Sequence, residues 1–170
     1  AYAAAVARKT LGEMPDKVVV EASGSIIKNV KSVIVPNTGH LKGINAAAAA
    51  GIVAGDPDKK LEVIATVSQE QIRQMKQFME EVPIQVVHME DGCTFDIIVT
   101  VFSGKSYAKV RIANFHTNIV LIEKNGEVLK SEAVSDDSEE GLTDRTLLDM
   151  EHIWDFAMTA DIDDVKALLD

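Results

Sequence analysis

Two polar stretches hold most of the residues in this sequence that could do chemistry. Ser23-Gly24-Ser25-Ile26-Ile27-Lys28-Asn29-Val30-Lys31 is followed by Val35-Pro36-Asn37-Thr38-Gly39-His40-Leu41-Lys42-Gly43. The second stretch is a glycine-containing polar loop that feeds the start of an alanine-rich helix. Free amides and the positive end of the helix dipole favour an anion at such a place. The Thr38 hydroxyl, Asn37 amide and Lys42 ammonium would add donors for a carboxylate or phosphate. Neither the P-loop spacing GxxxxGK[ST] nor GxGxxG is present, so this is no nucleotide-phosphate loop of either kind. The competing reading is an ordinary turn, in which Asn37 or Thr38 caps the helix and Lys42 points to solvent.

A third polar cluster, Asn114-Phe115-His116-Thr117-Asn118, interrupts two strand-like runs. A polar tip there can hold an imidazole in a cleft as donor or acid/base. It can equally be a longer turn whose asparagines bond their own backbone. Cys93 follows Glu90-Asp91-Gly92 with no metal-type spacing to any histidine, which favours an inert thiol. His40, His88 and His152 have no partner motif. The acidic run Asp136–Glu140 lacks the spacing and glycine of a calcium loop and reads as solvated. No catalytic residue and no metal ligand is assigned from these patterns.

The elements that must position these groups belong to an ordinary globular chain: 170 residues, 46% hydrophobic, 26% charged. The stretch Ile44–Ala54 is too short for a membrane span. One cysteine excludes an intrachain disulfide framework and points to a reducing, cytoplasmic setting. The net charge of −10 is unevenly spread. Residues 1–130 carry 15 Lys/Arg against 14 Asp/Glu (net +1), and residues 131–170 carry 2 against 13 (net −11). With no basic face to assemble, nucleic acid is not an expected partner.

Residues 1–12 read as a small-residue helix ended by Gly12, and Lys17–Ala22 as a strand. Residues 26–35 have helical spacing, and 41–54 form the alanine helix, against which another helix should pack closely. Residues 61–66 (LEVIAT) read as a strand. Ser68-Gln69-Glu70-Gln71 is a capping box that opens a helix bearing Ile72, Met75, Phe78, Met79 and Val82 on one stripe. Strands are expected near 84–89, 95–102, 107–113, 118–124 and 127–131, with hairpin turns at Gly104 and at Asn125-Gly126. An acidic connector follows, expected to be exposed and cut first by proteases at 135–140. Beyond it, Thr143 should cap a helix with Leu147 and Trp154, and Asp161 a last one. The fold class is therefore α+β: a two-layer module of mostly antiparallel sheet plus helix, inserted between helical segments. The expected domains are 1–59 as the first part of a split helical domain, 60–132 as the inserted module, and 133–170 as acidic linker and return. Uncapped apolar helices at both ends suggest a piece of a larger protein.

Taken in order, the Ser23–Lys31 and Val35–Ile44 motifs, the alanine helix with Gly55-Asp56-Pro57-Asp58, and His116-Thr117-Asn118-Ile119-Val120 resemble the L-cysteine desulfidase-like family, related to the α chain of iron–sulfur L-serine dehydratase. The resemblance runs over nearly the whole chain. It implies a cytoplasmic lyase that uses a 4Fe–4S cluster on three cysteines to remove the β-substituent of a small amino acid. L-Cysteine would give sulfide, pyruvate and ammonia; L-serine would give pyruvate and ammonia. The family's cluster cysteines match no position here, so this chain is expected to bind no cluster and to be inactive alone. The substrate-binding residues inferred beside this resemblance are Lys28, Asn29, Asn37, Thr38, Gly39, Lys42, His116, Thr117 and Asn118. The expected partners are the remainder of a parent chain, a small amino acid and a second copy in a homodimer. The rival class is a non-catalytic small-ligand-binding or dimerisation module.

Overall fold

The computed structural model describes residues 1–134, 149–161 and 163. The chain divides into two compact units, residues 1–136 and 137–170. The first holds a six-stranded sheet: β1 (Lys17–Ser23), β2 (Ile84–Met89), β3 (Asp96–Ser103), β4 (Ser106–Ala113), β5 (Ile119–Lys124) and β6 (Glu127–Ser131). Their order is β2-β1-β3-β4-β5-β6, and only the β1–β2 pair is parallel. The fold class is α+β.

Period-two alternation sorts the strands into two faces. Val18, Val101 and Ala108 lie in one cross-strand row, Val20, Val99 and Val110 in the next, and Ala22, Ile97 and Ile112 in a third. Helices α1 (Tyr2–Leu11) and α3 (Gly43–Ala54) pack against this face, where Ala3, Ala4, Ala7, Leu11, Ala48, Ala49 and Ile52 complete the core. Each fully buried Val or Ile contributes about 1.5–3 kcal/mol by removal from water. Small side chains let the two helices approach closely: a Cβ added to Gly51 would lie 2.1 Å from the carbonyl oxygen of Ala1. Helix α1 ends at Gly12, whose φ of 90° a side chain would resist.

Helix α4 (Gln69–Glu81) starts at the expected capping box. The Gln71 amide donates to Ser68 Oγ at 3.2 Å, and the Ser68 amide donates to Gln71 Oε1 at 2.9 Å. Its stripe is turned inward through Met75 and Phe78, which seat on Ala46, Ala50 and Val35 and on the main core respectively. Asn125 and Gly126 have φ of 51° and 86°, which is type I′ hairpin backbone.

Three expectations need correction. Residues 61–66 are not a strand. Pro57 opens a 3₁₀ helix, Pro57–Glu62, which Asp56 caps by accepting from the Asp58 amide at 3.1 Å. Leu61 is 70% exposed, while the adjacent Val63 and Ile64 turn inward as buried and half-buried side chains, so the apolar alternation there serves no sheet. Second, the helix expected over 26–35 is shorter: α2 is Gly24–Val30. Val33, Ile34 and Val35 are β-branched and precede Pro36, which favours extended backbone. There Val35 donates to the Leu41 carbonyl at 2.8 Å and Gly43 to that of Val33 at 3.0 Å. Third, the division expected at 59/60 falls inside the first compact unit, because β1 is a sheet strand hydrogen-bonded to both β2 and β3.

In the second unit, α5 (Met150–Thr159) carries Trp154 and is capped by Asp149, which accepts from the His152 amide at 2.8 Å. Thr143 and Leu147, the connector at 135–140 and the last helix lie outside the described residues. No helix among the described residues is long and apolar enough to cross a membrane.

Candidate functional site

The first unit holds a half-open cavity of about 620 Å³ between the sheet and its helices. Its floor is the inward face of the sheet (Val20, Ala22, Ile97, Val99, Ile112), and its walls are the first turn of α1, the inner side of α2 and the start of α3. Two irregular segments complete the rim: Val33–Asn37 and Lys60–Ala65. Phe95 and His116 close one corner, their ring centroids 4.4 Å apart. The lining is overwhelmingly apolar. Its side-chain hydrogen-bonding and charged groups are few: Asn37, His116, Lys60 and Glu62, with the Tyr2 phenol.

Asn37 and His116, expected from two separate motifs, both border this cavity. Asn37 takes φ of 60° and its Nδ2 donates to the carbonyls of Ile64 and Ala65 at 3.0 and 3.2 Å. That locks two rim segments together across 27 residues of chain. His116 sits on the tip between β4 and β5. Asn118 stiffens the tip by donating from Nδ2 to the Ala113 carbonyl at 3.0 Å, and the Asn114 amide donates to the Phe95 carbonyl at 2.9 Å.

Lys28, Asn29, Thr38, Gly39, Lys42, Thr117 and Asn118 do not line the cavity. Lys28 and Asn29 are exposed on α2, Thr117 is exposed on the tip, and Lys42 is exposed at the start of α3. Thr38 is fully buried, and its hydroxyl donates to the Val35 carbonyl at 2.7 Å, so it braces its own loop. Gly39, with φ of 68°, lies where a Cβ would approach Ile72 of α4 to 3.2 Å. Neither Asn37 nor Thr38 caps α3. Lys42 is the cap residue, no side chain bonds the first-turn amides, and no acidic residue lies in that turn.

Sequence reading missed Lys60 and Glu62. Lys60 has φ of 50° and ψ of −109°, a kink within the 3₁₀ helix that a bulky side chain adopts only under constraint. The Pro57 signal could have found this turn; the strand-like alternation after it concealed it. Cys93, His40, His88 and His152 are not at the cavity. The Cys93 thiol donates to the Phe95 carbonyl at 2.9 Å and lies 3.7 Å from Asp96 Oδ2. No group of three or more His, Cys, Asp or Glu among the described residues is placed to hold a metal ion.

The fold and cavity thus define an α+β protein with an apolar, small-molecule-sized site. Over its whole length the chain is similar to UPF0597 proteins. It is 53% identical to that of Desulfitobacterium hafniense over 170 residues, covering 100% of this chain and 40% of that protein. The corresponding protein of Lachnoclostridium phytofermentans is 41% identical (100% of this chain, 40% of the relative) and that of Treponema denticola 39% identical (99% and 39%). The chain spans about two fifths of the length of these curated relatives. No family model matches, and no solved structure matches.

Proposed function

We propose that this chain forms one wall of the amino-acid pocket of a longer cytoplasmic lyase resembling L-cysteine desulfidase and the L-serine dehydratase α chain. The reaction is elimination of the β-substituent of a small amino acid, giving pyruvate and ammonia, with sulfide or water leaving. One observation carries the reading: Asn37 and His116, from the two motif groups that bear the resemblance, border a single cavity. The relatives' greater length leaves room for the rest of such a site.

The resemblance implies a 4Fe–4S cluster, and this chain's own residues do not fit one. Such clusters are held by several thiolates. Cys93 is the chain's one cysteine, and its thiol is committed to the Phe95 carbonyl, away from the cavity. In this reading the cluster's ligands lie in other parts of the longer protein.

A second reading, a non-catalytic ligand-binding or dimerisation module, draws on the cavity's apolar lining and its single imidazole. The test is to titrate L-cysteine and L-serine into the chain and follow amide shifts, then assay a protein of the relatives' length for pyruvate. Shifts centred on Asn37 and His116, with pyruvate lost in His116→Ala, support the lyase. Shifts without pyruvate favour the binding module. No shift at millimolar ligand overturns both assignments of the cavity.

A further inference from the structure

Helix α5 exposes five large apolar side chains on ten residues. Met150, Ile153, Trp154, Phe156 and Met158 are between 45 and 79% exposed. They are sorted by position. At about 100° per residue, Met150, Ile153, Trp154 and Ala157 centre one stripe, with Phe156 and Met158 on its flanks. Glu151, His152, Asp155 and Thr159 fill the opposite side, and that side is satisfied locally. Asp149 accepts from the His152 amide and lies 2.8 Å from its ring, and the Thr159 hydroxyl donates to the Asp155 carbonyl at 2.7 Å. The apolar side has no such closure. Isolated helices shorter than about 12–15 residues are marginal in water, so a ten-residue helix of this kind draws its stability from whatever its stripe packs on.

We propose that this stripe docks on an apolar surface of the further polypeptide that the relatives carry. The chain covers 40% of the Desulfitobacterium hafniense protein, so about three fifths of that protein lies outside the matched segment. Two other occupants fit the helix less well. A membrane-surface helix carries Lys and Arg on its polar side to meet anionic lipid. Helix α5 has neither, and Glu151 and Asp155 would be repelled. A second copy of the chain must bring enough area to hold two free molecules together, about 800 Å² and some 20–30 residues a side. Six apolar residues on one short helix fall well below that. Docking within one polypeptide needs no such area, because the covalent link supplies the effective concentration. The stripe stands whether or not the cavity is an amino-acid pocket, so failure of the pyruvate assay leaves it untouched.

The test is amide hydrogen exchange, read by mass spectrometry on this 170-residue chain and on the intact Desulfitobacterium hafniense protein. The peptide over 150–159 is expected to exchange at least about 10-fold faster in the 170-residue chain than its matching peptide does in the intact relative, because docking removes the local opening of the helix. Trp154 is the chain's one tryptophan, so acrylamide quenching of its fluorescence gives an independent reading. In the 170-residue chain it should be quenched as readily as free indole, at every protein concentration and with or without vesicles of phosphatidylglycerol. Fast exchange of this peptide in both proteins overturns the docking, since the longer chain then leaves the stripe bare. Equal protection in both overturns it as well. In that case loss of Trp154 shielding on dilution assigns the stripe to a second copy, and concentration-independent shielding assigns it to this chain itself. Shielding that appears only with the vesicles assigns the stripe to a lipid surface and overturns the docking too.

Discussion

Arg111 grips Asp96 with both arms of its guanidinium: Nε lies 3.0 Å from Oδ1 and Nη2 lies 2.6 Å from Oδ2. The carboxylate has no solvent exposure and the guanidinium side chain has 29%. The pair ties the start of β3 to β4 next to Phe95, whose ring carries His116 at the cavity's corner. The ion pair and the candidate site therefore share one stretch of backbone.

Replacing Arg111 with Met should cost stability, because it leaves Asp96 buried without its counter-charge. Breaking a buried pair costs about 3–5 kcal/mol, and the partial exposure of Arg111 places this one at the low end. Urea unfolding measures it. A loss under about 1 kcal/mol would class the pair with ordinary surface ion pairs.

Gly51→Ala should destabilise the chain although alanine is the better helix former by about 1 kcal/mol. The new Cβ meets the Ala1 carbonyl oxygen at 2.1 Å and its Cα at 3.0 Å, so α1 must move off α3. Overpacking of this kind costs about 1–3 kcal/mol, more than propensity returns. A raised melting temperature would show that the two helices separate at no cost.

The sheet's antiparallel part was legible because each signal is local. Alternation marks β3 to β5, and Asn125-Gly126 specifies a turn with two positive φ values. The capping box at Ser68 is equally local, since four residues carry it. The place of β1 was not legible. Its parallel pairing with β2 joins Val18 to Ile84 across three helices and a 3₁₀ turn, and no neighbouring residue records that. Asn37 and His116, which border the cavity, stand out in the sequence as polar residues between apolar runs. The Lys60–Glu62 corner was hidden because Leu61, Val63 and Ala65 imitate strand alternation. The void is a product of how α1, α2 and α3 splay over the sheet, which composition does not encode.

Asp149 caps α5 and also lies 2.8 Å from His152 Nδ1. Hydrogen bonds from the His152 backbone and then from its ring hold the carboxyl below its ordinary value of 3.8. A lowered folded-state value means the cap supports α5 above the unfolded value and is lost as pH falls through the lowered one. Carbon-detected titration should place Asp149 below 3.8, and His152→Ala should move it back part of the way, the backbone donor remaining. An Asp149 midpoint unaltered by His152→Ala would mean the ring contributes nothing.

Ala47→Leu separates a binding cavity from a mere packing gap. Ala47 lies on α3 at the cavity wall and is half-buried, so a leucine there grows into open volume. Filling a void without displacing neighbours should change stability by less than about 1.5 kcal/mol, unlike enlargement in a closed core. The added side chain removes space and apolar floor from any occupant and should abolish the affinity for L-cysteine and L-serine. Both quantities come from one sample, by urea unfolding and calorimetric titration. A fold kept at full stability with ligand affinity lost places the ligand in this cavity. Affinity retained at full strength places it elsewhere on the chain.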